Sequence, residues 1–451
     1  MRDIVLVTVD SLRADHVGWH GYNRNTTPNL DELAESSRTF SNTFAHACST
    51  RPSFPAILTS SYPLMYGGFE QLSEKRTTIA EVLSGEGYST AGYHSNLYLA
   101  SDFNYDSGFD HFFDSRSDPS ILAKLRQAIK TQLDDESATY SLLQYLFDTT
   151  EKRTGIELGS AYVDAAEITD QALSWAEKEA STPRFLWVHY MDVHHPYVPP
   201  AKYQKRFRDQ VISDRDAVQL RRKMLESPRR ITDNELDSLI DLSDAEIAYV
   251  DNEVNRLVET LNEEWGEDLI FAFTSDHGEE FLDHGGFSHS ATFYDEVLHV
   301  PLLINDGSER ATHNELAGLL DLSPTLIQYA DAEPPNNFYG NSLNQIESDN
   351  WNRSEVIAEW ANLETGARRF GIRTAEWKYI RKEDGTEHLY NISVDPEEHN
   401  NNVQEEPEIL DELRDHLERH LEQLEGTTDD LGDVEMDEEV KQRLRDLGYQ
   451  E

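Results

Sequence analysis

A chain of 451 residues has room for a large catalytic core and a smaller subdomain. Acidic residues outnumber basic ones 86 to 39, a formal net charge of −47, which excludes nucleic acid as an electrostatic partner because phosphate binding needs clustered Lys and Arg. With 7 Trp, 20 Tyr and 18 Phe the chain is too aromatic for acidic disorder. The acid excess runs along the whole length, with Arg above Lys, and reads as the hydrated surface of a halophilic protein.

One Cys excludes an intramolecular disulfide and a Cys-based zinc site. Met1 leads directly into an apolar run with no charged leader, and no segment reaches the ~18 apolar residues of a membrane span. The expected location is the cytoplasm.

In chain order, Ile4 to Val9 is continuous and β-branched, as in a buried parallel strand, and it stops at Asp10. Catalytic groups of open α/β sheets sit just past the carboxyl ends of strands, where Asp10 falls. Thr27-Pro28 opens a helix, with Thr27 as its cap. Residues 77–83 form a second helix, and 88–93 a strand leading to His94 and Asn96. Residues 120–150 are helical and amphipathic, an insertion on the core. Residues 185–190 and 268–273 are two further strands, each ending at a polar cluster. Between them, 206–242 is charged and helical, a second insertion; each insertion is either a lid or an outer packing helix. A Pro- and Asn-rich linker around 333–341 closes the main domain, 1–334. The C-terminal part, 335–451, has short antiparallel strands (356–360, 370–374, 377–381) and acidic helix from about Glu406. Strands alternating with amphipathic helices predict an α/β fold, a mostly parallel sheet sandwiched by helices, with a smaller α+β subdomain.

Three segments carry a resemblance. Thr50-Arg51-Pro52-Ser53-Phe54 precedes a helix with Leu58-Thr59-Ser60, Asp10 stands before it, and Asp276-His277 follows a strand far downstream. In this layout the chain resembles the sulfatase family of the alkaline phosphatase superfamily. Sulfatases place a Cys or Ser, later oxidised to formylglycine, in the pattern C/S-x-P-x-R. The Leu58-Thr59-Ser60 register puts Thr50 on the nucleophile position; Cys48, followed two residues on by Thr50, lacks the signature. Thr in that slot is similar to phosphoryl- and phosphoglycerol-transferring members of the superfamily.

The resemblance implies a sulfate or phosphate ester hydrolase. Such chemistry needs an oxygen nucleophile, charge neutralisation on the non-bridging oxygens and a proton for the leaving group. One divalent metal held by Asp10, Asp276, His277 and Thr50 would lower the Thr50 hydroxyl pKa and bind an ester oxygen. The run Asp192-Val193-His194-His195-Pro196 resembles the family's D-x-H-x-P segment, which makes His194 a leaving-group acid or ester-oxygen contact, with adjacent His195 competing for the role. His189 in the same run reads as a core residue. Asn96 stands where relatives carry a substrate-binding Lys; His289, or else His284, replaces a second Lys, and His94 lines the same pocket. Arg13 either pairs with Asp15 or contacts substrate.

Departures from the family bear on the metal. Ser11 replaces a second Asp, His277 an Asn, and Phe54 the Arg. A lost carboxylate and a gained imidazole move preference from calcium towards manganese, zinc or iron, with manganese favoured. Without the Arg, a formylglycine gem-diol mechanism has no support. The substrate expected is a small-molecule or glycan sulfate or phosphate ester. The rival readings are a phosphoglycerol or phosphoethanolamine head-group transferase and a catalytically silent sulfatase-like binding protein.

Overall fold

The computed structural model describes residues 1–114, 162–179, 181–289, 292–349, 351–363 and 365–427. The predicted helix at 120–150 and the C-terminal end of the chain lie outside them. Up to residue 318 the described strands are β1 (Ile4–Val9), β2 (Arg38–Phe44), β3 (Ser89–Tyr93), β4 (His111–Phe113), β5 (Arg184–Tyr190), β6 (Ile270–Ser275), β7 (Glu280–Phe281), β8 (Phe287–Ser288), β9 (Leu302–Asn305) and β10 (Ala311–Gly318). β7 and β8 pair as a hairpin; the other eight form one sheet in the order β10-β2-β9-β6-β1-β5-β3-β4. Neighbours are parallel except β9, which runs antiparallel to β2 and β6.

The described helices are α1 (Pro28–Ala34), α2 (Thr50–Thr59), α3 (Ile79–Gly85), α4 (Ala165–Ala176), α5 (Ala201–Phe207), α6 (Asp214–Glu226), α7 (Asp233–Trp265), α8 (Asp295–Leu298), α9 (Leu322–Tyr329) and α10 (Pro407–Glu425). Strand alternation decides which helices cover which face. Ile4 and Leu6 of β1, Phe185 and Trp187 of β5, and Ile270 and Ala272 of β6 share an apolar layer with α2, α3 and α9. Val5, Val7 and Val9, Leu186 and Val188, and Phe271 and Phe273 face α1, α4 and α7. β1 is central, and both its faces are buried.

The C-terminal subdomain is an antiparallel sheet, β11 (Glu355–Ala361), β12 (Arg368–Thr374), β13 (Trp377–Arg381) and β14 (Glu387–Asn391), in chain order. Ile357, Ile372 and Tyr379 pack against the leucine stripe of α10. Val356, Ala358 and Ile380, one residue out of phase, join the core layer of the main domain. Among the described residues no helix is long and apolar enough to cross a membrane.

Three local expectations change. Thr27 sits at the N-cap of α1, but its hydroxyl bonds Asp31; the Asp251 carboxylate of α7 takes the helix's N–H groups at Asn29 (3.3 Å) and Leu30 (2.9 Å). The strand expected at 268–273 runs two residues later, because the carbonyl oxygens of Asp268 and Leu269 accept from the Arg2 guanidinium. The charged stretch 206–242 divides into α6 and the start of α7, and their apolar residues Ala217, Met224, Leu239 and Leu242 cluster with Tyr197, Phe281 and Phe287.

Candidate active site

Register brings the site together. Val9 of β1 pairs with Tyr190 of β5 and Ser275 of β6, so Asp10 and Asp276 emerge side by side at the carboxyl edge of the sheet. On the α2 face the strand residues turn polar towards that edge: Ile4, Leu6, Thr8, Asp10; Phe185, Trp187, His189; Ile270, Ala272, Thr274, Asp276. Thr50 is the first residue of α2, just above them.

Asp10, Thr50, Asp276 and His277 are fully buried. The Thr50 hydroxyl donates to Asp10 Oδ2 at 3.0 Å and lies 3.4 Å from His277 Nε2. His277 Nδ1 bonds the Gly278 carbonyl at 2.8 Å, which requires a proton on Nδ1 and leaves the Nε2 lone pair facing Thr50 and, at 3.6 Å each, Asp10 Oδ1 and Asp276 Oδ2. Burial pushes the His277 pKa down to about 3, which keeps that lone pair available. Ser11 takes a left-handed conformation (φ 59°) at a cost of about 1–3 kcal/mol. There its N–H reaches Asp276 Oδ1 at 3.2 Å and its hydroxyl donates to Asp10 Oδ1 at 2.7 Å. Gly278 is required by a close approach: a Cβ would stand 2.1 Å from the Glu296 carbonyl oxygen.

Burial raises the Asp276 carboxyl well above its ordinary value, and the neighbouring Asp10 charge adds to that; Asp10, despite equal burial, is held low by the imidazoles around it. Two buried carboxylates and an imidazole lone pair converging on one point are the oxygen and nitrogen donors of a divalent cation. Asp276 Oδ2 has no hydrogen-bond partner among the described residues. Asp10, His189 and Asp276 also present ligand atoms within 4.8 Å of one another. The residues present therefore fit a metal.

Above this floor lies a second layer of imidazoles. The rings of His277 and His289 are 4.4 Å apart between centroids, those of His194 and His289 5.2 Å. His194 Nδ1 bonds the His195 carbonyl at 2.6 Å, so it carries the proton, and burial lowers the ring's pKa to about 4. Burial would also lower His289, but Glu279, 3.5 Å from its Nδ1, outweighs this and raises it. His195 accepts from Arg221 Nε on its Nδ1 at 3.2 Å and bonds Ser288 through Nε2, also at 3.2 Å. Burial holds it neutral.

The remaining sequence candidates fall elsewhere or do something different. The Asn96 amide donates to Asp10 Oδ2 (3.4 Å) and Met191 Sδ (3.2 Å), so it touches the floor itself. His94 packs against Trp187 and Phe112, with ring centroids 5.3 and 5.0 Å away. His284 is drawn to the subdomain side: it bonds Glu296 at 2.6 Å and stacks on Tyr294 at 3.5 Å. Arg13 is held by Asp15 and Asp283 and ties the strand-end loops together. Cys48 lies in the apolar layer with Phe44 and Phe54.

Sequence reasoning gave His189 a core role and passed over Arg221. The period-2 pattern of β5 was the available signal for His189, since Trp187 and His189 share the face of Asp10. Arg221 had none, being one of several charges on a solvent-facing helix.

A family model described as Sulfatase matches residues 2–332, and one described as N-sulphoglucosamine sulphohydrolase, C-terminal, matches 283–427. An arylsulfatase of Clostridium perfringens is 25% identical, the match covering 95% of this chain and 96% of the relative. Arylsulfatase K of Rattus norvegicus is 23% identical over 92% of this chain and 77% of the relative. Among solved structures, the phosphonate monoester hydrolase of Agrobacterium radiobacter superposes with a TM-score of 0.72 at 19% identity, covering 94% of this chain and 96% of that one. A protein in complex with its substrate D-glucosamine-2-N,6-O-disulfate superposes with a TM-score of 0.71, also at 19% identity, covering 94% and 98%.

Proposed function

Because the chain belongs to the sulfatase family, we propose that it is a metal-dependent hydrolase of sulfate or phosphate esters with Thr50 as its nucleophile. The observation that carries this reading is the Thr50 hydroxyl, set at the first turn of α2 with Asp10 Oδ2 3.0 Å and His277 Nε2 3.4 Å away. Asp10, Asp276, His277 and Thr50 would hold the cation, manganese being favoured over calcium by the imidazole in the set. When bound it supplies positive charge that lowers the hydroxyl pKa and neutralises the ester oxygens.

The chain's own groups divide the remaining work. Asp10 Oδ2 accepts the hydrogen bond of the Thr50 hydroxyl and aligns its oxygen for attack on the central atom; the proton leaves through that contact to water, because the Asp10 carboxyl is held too low to keep it. His289, whose pKa Glu279 raises against the effect of burial, gives its proton to the departing alcohol oxygen. His194, neutral and adjacent, receives a proton from the water that releases the esterified Thr50. His195 and Arg221 border the site from the α6 side and face the substrate's remaining groups. Phosphorus suits a threonine nucleophile better than sulfur, because the covalent intermediate must be hydrolysed at the central atom and a sulfated Thr leaves slowly.

The relatives named for arylsulfates and sulfated sugars support a small-molecule or glycan ester as substrate. The acidic composition supports work in high salt. The test is turnover of nitrophenyl sulfate, phosphate and phosphodiester substrates in high salt with added manganese or calcium. Hydrolysis of at least one, dependent on the metal, is expected. No turnover of any, with no bound metal, would leave a silent binding protein as the reading.

A further inference from the structure

We propose that His189 is a ligand of the same cation, making the site a two-imidazole, two-carboxylate set beside Thr50; the inference rests on the metal-dependent reading above. His189 is fully buried in β5 and pairs in register with Thr8 of β1, on the face that carries Asp10 and Asp276. Its Nε2 lies 3.7 Å from Asp10 Oδ2, beyond hydrogen-bond range. Two donors on one ion with bonds of ~2.0–2.2 Å stand roughly 3–4.2 Å apart. The 3.6 Å separations of His277 Nε2 from both carboxylates fall in the same window. His277 addresses Asp10 Oδ1 and His189 Oδ2, so the two rings flank the same carboxylate.

Hydrogen accounting agrees. Trp187 Nε1, a donor only, gives its proton to Thr8 Oγ1 at 3.1 Å, and the Thr8 hydroxyl can turn its own proton to the Val188 carbonyl at 3.5 Å. The second Thr8 lone pair then takes the His189 Nδ1 proton at 3.0 Å. In that tautomer Nε2 is unprotonated; it has no hydrogen-bond partner among the described residues and faces Asp10 and Asp276. A bare lone pair facing carboxylates is unfavourable unless a cation lies between them. Phe54 packs edge-on against the ring at 5.0 Å and Trp187 lies nearly parallel to it at 6.4 Å, which sets its orientation. Ser11 offers a hydroxyl already donated to Asp10, so His189 restores the donor count lost there.

The test counts nitrogens. Electron spin-echo modulation of the manganese-loaded full chain should show two coupled ¹⁴N nuclei, and one in either His189→Gln or His277→Ala. By calorimetric titration, His189→Gln should lose more than about 100-fold in manganese or zinc affinity, beyond the ~10–100-fold of an outer partner, with little change for calcium. A single nitrogen in the wild-type spectrum, which needs no variant, or unchanged manganese affinity in a folded His189→Gln protein, would overturn the inference and leave the metal reading standing. A wild-type protein that binds no divalent ion would remove both.

Discussion

The protein draws acidic pairs together in two places, fully buried at one and with one member only half-buried at the other, and neutralises them in opposite ways. At the interface with the C-terminal subdomain, Asp295 and Glu398 are met by cations of the chain itself: Lys378 ion-pairs with both, at 3.1 Å from Glu398, and Arg373 Nε lies 3.3 Å from Asp295. At the floor of the site, Asp10 and Asp276 are met by backbone N–H groups, hydroxyls, an amide and imidazole lone pairs. Leaving buried carboxylates without a full charge opposite them is costly. A chain that supplies Lys and Arg at one site and neutral donors at the other supports the proposal that the second takes its charge from outside.

The largest expected effect breaks the floor at its proposed nucleophile. Thr50→Ala should abolish turnover while the metal remains bound through the other donors, read as steady-state rate and metal content of the same sample. Activity retained in this variant would remove Thr50 from the mechanism.

Asp276→Asn tests where the missing charge comes from. In the wild type, saturating manganese should raise the melting temperature, since a ligand at ~100 times its Kd adds about 2.7 kcal/mol to stability. The variant should lose that shift, because the convergent carboxylate pair is gone. A shift that survives in Asp276→Asn would place the ion elsewhere.

How much of this contrast the sequence carried follows from chain distance. Asp10, Asp276 and His277 were legible because each directly follows a strand, and an α/β sheet delivers strand ends to one edge. Thr50 was legible from the helix register that follows it. His189 was not, because within an apolar strand an imidazole is indistinguishable from a packed one until β1 and β5 are in register. The pairing of Arg221 with His195 joins residues 26 apart through the fold of α6 against β8. The antiparallel β9 was equally hidden, since a four-residue strand carries no direction in its composition. The interface pair draws Asp295, Lys378 and Glu398 from three distant segments, and nothing local to any of them points to the others.

His194→Ala removes one of the two imidazoles proposed for proton transfer and should reduce kcat by about 10²–10⁴, the range for a positioned proton-transfer group, with the melting response to manganese retained. Loss of metal binding instead would move His194 from proton transfer to the ligand set.

Breaking the other region should change stability and leave chemistry alone. Lys378→Met strands the buried Glu398 and the half-buried Asp295 and should cost up to about 3–5 kcal/mol in urea denaturation, with the turnover of the folded fraction unchanged. A pH series sharpens this. Burial alone would raise Asp295, yet Lys378 and Arg373 lower it to about 2, so the wild type draws stability from this group above the unfolded value and loses it as pH falls from about 4 towards 2. Burial pushes Glu398 up to about 7, which has the opposite sign: stability declines as pH rises towards 7. In Lys378→Met the acid-side loss should shrink and the neutral-side loss should grow. An unchanged profile would mean that Lys378 does not govern the pair.

The smallest effect is expected at Cys48, two residues from the nucleophile in sequence and in a different environment. Cys48 is fully buried in the apolar layer beneath α2 with Ala45 and Phe54, whereas Thr50 projects from the first turn of that helix to the carboxylates. Cys48→Ser exchanges a buried thiol for a hydroxyl of similar size and should change stability only slightly. The rate per folded molecule should stay within about tenfold, a barrier change near 1.4 kcal/mol. Mass spectrometry of the peptide spanning both residues should show an unmodified thiol. An aldehyde at Cys48, or a Cys48→Ser protein as inactive as Thr50→Ala, would shift the reacting position by two residues and away from Asp10, and the geometry of the floor would then have no nucleophile.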